Sequence, residues 1–391
     1  MPWKESDRVS ERLIFISRLR DGERMSDLCA EYGITRTTGY KWKERYAAEG
    51  PEGLFDRSRR PRRSPHRTPE AVIDAVLQLR REHPTWGPKK LRARLDKLNP
   101  QVHWPAPSTI GALLKGAGLV KGRRRKRRAS PTERSARMNP TSPNELWCID
   151  FKGQFRLGNG TYCYPLTVTD QVSRYVLGCE GLPNTRGEPA ARELEAVFRL
   201  YGLPERIRSD NGTPFASTGL GGLSQLSVWL MRLGIQLERI DPGCPQQNGR
   251  HERMHLTLKQ EVTRPPADTM LQQQEKLDDF RRVFNEERPH EALDMNTPSS
   301  VYAASERKLP QSLPDVEYPL HDETRRVGQN GTLSFRGREI YVSAALRGQP
   351  IGLRHVQEGV WLTTFMDTDL AYLNTGDKTV TPIPNNQEPL A

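Results

Sequence analysis

The sequence predicts a multidomain chain: α-helical helix–turn–helix modules first, then an α/β domain on a mixed sheet, then a small β-barrel. Three observations lead there. At 391 residues the chain exceeds one ordinary hydrophobic core. Its apolar spacing changes from helical to strand-like near Asn144. Charge is split: Met1 to Met138 holds 33 Lys/Arg against 16 Asp/Glu, net +17, whereas the remainder is −5 within a total of +12. A strongly positive front end ahead of a mildly acidic remainder suits a polyanion-binding module joined to something else.

The front end has two helical units. In "SERLIFISRLRDG", Leu13, Ile14 and Ile16 form the apolar face and Gly22 ends the helix. In "MSDLCAEYGITRTTGYKWKERYAAEG", Ser26 is expected to cap one helix, Tyr32-Gly33-Ile34 to turn, and Thr35 to cap the next. This is helix–turn–helix grammar, in which the second helix enters the DNA major groove. Arg36, Thr37, Thr38, Tyr40, Lys41 and Lys43 would then meet bases and phosphates. The alternative is a plain three-helix bundle with a solvated basic face. "DRSRRPRRSPHRTP" reads as an extended linker. A second unit follows, its last helix capped by Ser108 or Thr109, and then "KGRRRKRR". In that run Arg123, Arg124, Arg125, Lys126, Arg127 and Arg128 repel one another and suit phosphates.

From Asn144 three strands, a helix, a strand, a helix, a strand and two helices are expected. "STGLGGLSQ" reads as a surface loop, and "NGRHERMHLTLKQE" as a helix polar almost all round. Short strands with glycine turns beyond Pro298 predict the barrel, with a disordered tail from Asp377. The implied domains are 1–55 and 68–120 (helix–turn–helix), 141–305 (α/β) and 324–375 (barrel), with basic linkers at 56–67 and 121–140, a connector at 306–323 and a tail at 376–391.

No run approaches the ~20 apolar residues of a membrane span, and "MPWKESDRVS" lacks a secretory apolar region. Five cysteines without C-x-x-C suggest reduced, partly buried thiols. A cytoplasmic, nucleoid-associated protein without a membrane partner is therefore expected.

Three carboxylates stand out. Asp150 lies within a strand, where a carboxylate is costly without a cation. Asp210 ends a strand in "RSDNGTPF", and Glu252 begins a helix. Converging, they would suit Mg²⁺ or Mn²⁺, and a pair of such ions serves in-line phosphoryl displacement. Each alone has a duller explanation: a bulge residue, a turn former, an exposed helix charge. His251-Glu252-Arg253-Met254-His255 also spells H-E-x-x-H, a zinc-protease signature. Such a motif belongs on a mostly buried helix with a marked third ligand downstream. Neither is evident, and His251 and His255 are expected on the helix surface or facing DNA.

"WCIDFKG", "RSDNGTPF", "DPGCPQQNGRHERMHLTLKQE" and "FNEERPHEALDMNTP" together resemble the integrase-core transposases of bacterial insertion sequences, relatives of retroviral integrases. The resemblance is dense from Leu146 to Tyr302 and looser elsewhere. It implies a ribonuclease-H-like core with a mixed five-stranded sheet, and Asp150, Asp210 and Glu252 as catalytic triad and metal ligands. It implies two Mg²⁺ ions per site with Mn²⁺ substituting, and DNA contacts from Asn248 and Lys259. Arg288, Pro289, His290 and Asn285 match a block of structural role. It further implies end cleavage to free 3′-OH groups, transesterification into target DNA, double-stranded DNA as partner and at least a dimer on it. Forty-one residues separate Asp210 from Glu252, more than is usual in the family, which keeps Glu238 and Glu261 as alternative third carboxylates. A DNA-binding repressor or domesticated remnant without strand transfer is the competing function. A ribonuclease-H-like nuclease that cuts without joining is a third.

Overall fold

The computed structural model describes residues 8–58, 68–120, 140–241, 244–377 and 379–383. It divides into a unit of residues 1–67 and a unit of residues 68–391. Arg123 to Arg128 lie outside the described residues.

The smaller unit contains α1 (Arg8–Arg20), α2 (Met25–Glu31) and α3 (Arg36–Glu49). Its core is Phe15, Ile16, Leu28, Cys29, Trp42 and Leu54. Leu13 and Ile14, expected inward, are 42% and 51% exposed. The buried stripe is Arg12, Phe15 and Ile16, because Arg12 crosses the Trp42 ring and donates to the Leu54 carbonyl. Thr35 caps α3 by accepting from the Thr38 amide, as expected, but α2 is preceded by Arg24 and has no side-chain cap from Ser26. Gly39 is required where α2 and α3 cross, since a Cβ there would lie 2.7 Å from both Cys29 Sγ and Met25 Sδ.

In the larger unit α4 (Glu70–Glu82), α5 (Pro88–Leu98) and α6 (Pro107–Gly116) close over Val76, Trp86, Leu91, Trp104, Ile110 and Leu114. Ala106 stands at the N-cap of α6, with Pro107 at its first turn, so neither Ser108 nor Thr109 caps it.

The central sheet is built from β1 (Leu146–Phe151), the short β2 (Phe155–Arg156), β3 (Tyr162–Asp170), β4 (Val176–Leu182), β5 (Arg206–Ser209) and β6 (Gln236–Arg239). β3 runs antiparallel to β1, β2 and β4, whereas β5 lies parallel to both β1 and β6. The main strands thus make the expected mixed sheet. Helix α7 (Gly187–Tyr201) separates β4 from β5, and α8 (Gln225–Arg232) separates β5 from β6. Gly202 ends α7 at φ +77°, with Ser305 O 2.6 Å from where a Cβ would stand. Trp147, Ile149, Leu166 and Val168 meet Leu194, Phe198, Leu226 and Leu230 in the core.

α9 (Gly249–Glu261) and α10 (Met270–Arg282) follow. α9 is not polar all round: His251, Met254, His255, Thr257 and Leu258 are buried. Its apolar members join Val176, Cys179, Leu277 and Phe280 in a separate core. Asn285 clamps the start of β4, accepting from the Val176 amide at 2.8 Å and donating to its carbonyl at 2.9 Å.

The C-terminal region holds an antiparallel sheet of β7 (Glu323–Arg326), β10 (Pro350–Gln357), β11 (Val360–Phe365), β12 (Thr368–Asn374) and β13 (Thr379–Pro382), and a hairpin of β8 (Thr332–Phe335) and β9 (Arg338–Tyr341). β13 corrects the expected disordered tail: residues 379–382 pair with β12 from Ala371 to Asn374. The segment read as a loose surface loop is likewise anchored, because Leu220 and Leu223 pack in the C-terminal core beside Leu370 and Phe365. All five cysteines are free, four of them buried. Among the described residues no helix is long and apolar enough to cross a membrane.

Candidate active site

The parallel register of β1 on β5 pairs Cys148 with Arg208. Continued two residues on, that register brings Asp150 of β1 level with Asp210, just past the end of β5. Asp210 follows β5 directly and turns back to accept from the Gly212 amide at 3.1 Å. Gly212 suits this turn because a Cβ there would stand 3.0 Å from Asp210 Oδ2. Asn211 ties the turn to β6 by donating to the Ile240 carbonyl. Glu252 is exposed in the first turn of α9, where the helix dipole favours a carboxylate.

The Asp150 side chain is 24% exposed. Its carboxyl is pushed up to about 7, first by burial, then by the Asp210 charge, with Glu252 adding a smaller push in the same direction and the Phe151 amide and Lys152 opposing. An Asp150 carboxyl whose charged form is disfavoured by burial and by nearby carboxylates fits hard divalent cations with oxygen donors. Lys152 lies close enough to feel Asp150 and Lys259, and Lys259 is exposed on α9.

His251 and His255 do not lie on the surface. They are 1% and 6% exposed and point into the sheet. Both Nε2 atoms meet the Thr167 hydroxyl, at 2.8 and 2.7 Å, and His251 Nδ1 meets Thr169 Oγ1 at 2.6 Å. Burial holds both rings neutral, His251 falling to about 3 and His255 to about 2. Ligand atoms of Asp150, His251 and His255 lie within 4.8 Å of one another. Three of the four ring nitrogens are nonetheless engaged by threonines, and Glu252 faces away on an exposed side. A zinc-protease site is therefore not assembled. The 3.8 Å approach of His255 Nδ1 to Asp150 is too long for a hydrogen bond and, with a neutral ring, is no ion pair.

The alternative carboxylates are committed elsewhere. Glu238 Oε1 accepts from Arg208 Nε and Nη2 at 2.9 and 2.7 Å, while Arg208 Nη1 donates to the Gln247 carbonyl. Glu261 pairs with the buried Arg288 at 2.9 Å. Asn248, at the N-cap of α9, is 4% exposed and its Oδ1 has no hydrogen-bond partner. In α3, Arg36, Thr37, Tyr40, Lys41 and Lys43 are exposed, whereas Thr38 is half-buried in the cap. Sequence reasoning missed Thr167 and Thr169; their only signal is alternation along β3, which sets both on the face toward α9.

The mixed sheet thus carries Asp150 on β1, with the charges of Asp210 and, more weakly, Glu252 bearing on it. An integrase core domain family matches residues 140–245, and a second family of the same description residues 233–298. A homeodomain-like domain matches residues 38–114, a helix–turn–helix domain residues 11–62, and the C-terminal domain of IS481 family transposases residues 322–380. An uncharacterised 31.7 kDa protein of insertion element IS407 from Burkholderia multivorans is 29% identical over 239 residues, 61% of this chain and 82% of that protein. An uncharacterised protein of insertion element IS476 from Xanthomonas euvesicatoria is 28% identical over 249 residues, 63% and 69% of the two chains. Among solved structures, the HTLV-2 integrase catalytic core domain in complex with magnesium is 15% identical with a TM-score of 0.34, covering 42% of this chain and 100% of that one. That last likeness is too weak to carry an argument. The matched segments are thus helix–turn–helix, integrase core and IS481-type C-terminal domains, and the chain is similar to proteins of insertion elements.

Proposed function

We propose that the protein is a DNA transposase that binds the terminal inverted repeats of an insertion sequence, cleaves at the ends to free 3′-OH groups and joins them to target DNA. The observation that carries this reading is the register of β1 on β5, which sets Asp150 level with Asp210 while the Glu252 charge bears on Asp150. Asp150, Asp210 and Glu252 would hold two Mg²⁺ ions, or Mn²⁺ in their place. Bound there, such ions neutralise phosphate charge and activate an attacking oxygen.

The chain's own groups supply the rest. Lys152 and Lys259 offer positive charge to the scissile strand, and the neutral His251–Thr167–His255 set packs α9 on β3 and keeps Glu252 in place. Arg36, Thr37, Tyr40, Lys41 and Lys43 read the element end with Thr38 fixing the helix start, and Arg123 to Arg128 hold phosphates. Asn248 acts from beneath, as the residue that begins α9. We take the chain as helix–turn–helix modules at 1–55 and 68–120, core at 141–305 and a C-terminal barrel formed by the sheet and hairpin together. Two ends must be joined in one event, so the working form is at least a dimer on DNA.

Labelled duplexes carrying the element's ends test this, incubated with Mg²⁺, Mn²⁺, Zn²⁺ or EDTA. Nicked and joined products with Mg²⁺ or Mn²⁺ are expected. Asp150→Asn, Asp210→Asn and Glu252→Gln should each abolish them and spare binding. Cutting without joining would identify a nuclease. Tight binding without product in any metal would favour a repressor.

A further inference from the structure

α9 presents three faces. His251, His255 and Leu258 turn to the sheet, while Glu252, Leu256 and Lys259 are exposed. On the third face, Arg250, Arg253, Thr257 and Gln260 line a cleft of about 1390 Å³, continued by Arg264. The opposite walls come from the second helical module and from the β3–β4 turn. This cleft lies off the carboxylates: Asp170, at its rim, pairs with Trp147, three residues before Asp150 on β1.

Its charge is one-sided. Arg80, Lys90, Arg174, Arg250, Arg253 and Arg264 line it, against two lining carboxylates among the described residues, Asp170 and Glu291. Asp170 accepts from the amides of Asn144, Val172 and Ser173 and from the Ser173 hydroxyl, and its charge bears on Arg174, offsetting one of the six cations. Glu291 pairs with Lys89. Among the described residues several of the cations meet carbonyl oxygens, which accept their N–H groups but leave the charge. Arg80 donates to Trp86 and Leu119, Lys90 to Pro289, and Arg250 to Gln171. Arg174 Nε is buried without a hydrogen-bond partner. Lys90 is pushed down to about 7, chiefly by burial and then by Arg288 and Arg253. Crowded cations without counter-charge are costly to keep unless an anion arrives.

We propose that this cleft is a second DNA-binding site, which takes the phosphodiester backbone of a duplex segment on the side of α9 away from Asp150, Asp210 and Glu252. The assignment rests on the transposase reading. From Arg250 to Gln260 the stripe rises about 15 Å, over which one DNA strand presents about four phosphates. A lone phosphate or nucleotide would use one or two of these cations; a backbone uses the row. DNA seated there is registered against the helix that carries Glu252.

The test uses the full chain in the Asp150→Asn background, so that DNA is not consumed, with binding read by fluorescence anisotropy across a salt series. Arg253→Gln/Arg264→Gln should weaken binding to a duplex carrying the element's end. It should also lower the log–log salt slope by about 1.8, or 0.9 for each lost phosphate contact. Arg192→Gln/Arg199→Gln on α7, paired with Glu188 and Glu195 on the surface, should leave the slope unchanged. Arg174→Gln provides a second reading of the cleft should the first pair disturb folding. An unchanged slope in the cleft variants, or an equal fall in the α7 pair, would overturn the site. Displacement of the duplex by poly-glutamate from wild type, matched by DNA of equal charge only in the variant, would assign the cleft to an acidic protein instead. With Asp150 intact and Mg²⁺ present, duplex binding without product would sink only the transposase reading, whereas no duplex binding at all would sink both.

Discussion

Arg208 and Glu238 form a largely buried ion pair beside Asp210. Arg208 is 5% exposed and the Glu238 side chain 16%. One guanidinium joins β5 to β6 and to the Gln247 carbonyl just ahead of α9. Removing one partner of a buried pair leaves an uncompensated charge and costs roughly 3–5 kcal/mol. Arg206 Nη1, 4.0 Å from Glu238, can offset part of that loss, so Arg208→Met should cost about 3 kcal/mol. The double variant Arg208→Met/Glu238→Leu removes both charges and should recover about 2 kcal/mol of it. Native-state hydrogen exchange of the β5 and β6 amides reads the opening free energy locally, which suits a chain of more than one unit. If the coupling energy between the two sites is below about 0.5 kcal/mol, as for an exposed pair, the reasoning is wrong.

Thr167→Val removes the hydroxyl shared by His251 and His255 and should cost about 1–3 kcal/mol, seen as a lower melting temperature that Thr167→Ser restores. A full loss in the serine variant would show that packing, not the hydroxyl, matters. His290 is held down to about 3, first by burial and then by Lys90 and Arg288. Its folded value lies below its unfolded one, so its contribution is whole above about 6.5 and is lost as the pH falls from there toward 3. The slope should be up to about 1.4 kcal/mol per pH unit. Urea titrations at several pH values should show a shallower acid decline in His290→Gln, and identical slopes would count against the assignment.

Much of the architecture could be read along the chain because it is local. Thr35 before "RTTGYKWK", Gly202 after "EAVFRLY" and the β-branched run of β3 each act within a few residues. Asp150 and Asp210 were legible for a related reason: a carboxylate in or at the end of an apolar strand is anomalous wherever the strand ends up. Leu13 and Ile14 misled because their hydropathy matched the buried stripe. The true stripe included Arg12, whose inward turn depends on Trp42, thirty residues on. The tail misled because β13 has no side-chain pattern of its own and is defined by pairing with β12.

The sequence by itself determined the element order, the split of charge and three carboxylates of a kind suited to divalent cations, since composition, period and caps are properties of neighbours. Tertiary structure alone decided what α9 does with each face. Histidines i and i+4 apart share a face in any helix, but whether that face meets water, zinc or a threonine depends on the strand beneath. Here β3 supplies Thr167 and Thr169, and the rings are buried and neutral. The arginines of the third face likewise look like ordinary solvated charge in the sequence. They become a cleft because Lys90 and Arg174, from segments remote in the chain, complete its walls with more cations than carboxylates among the described residues.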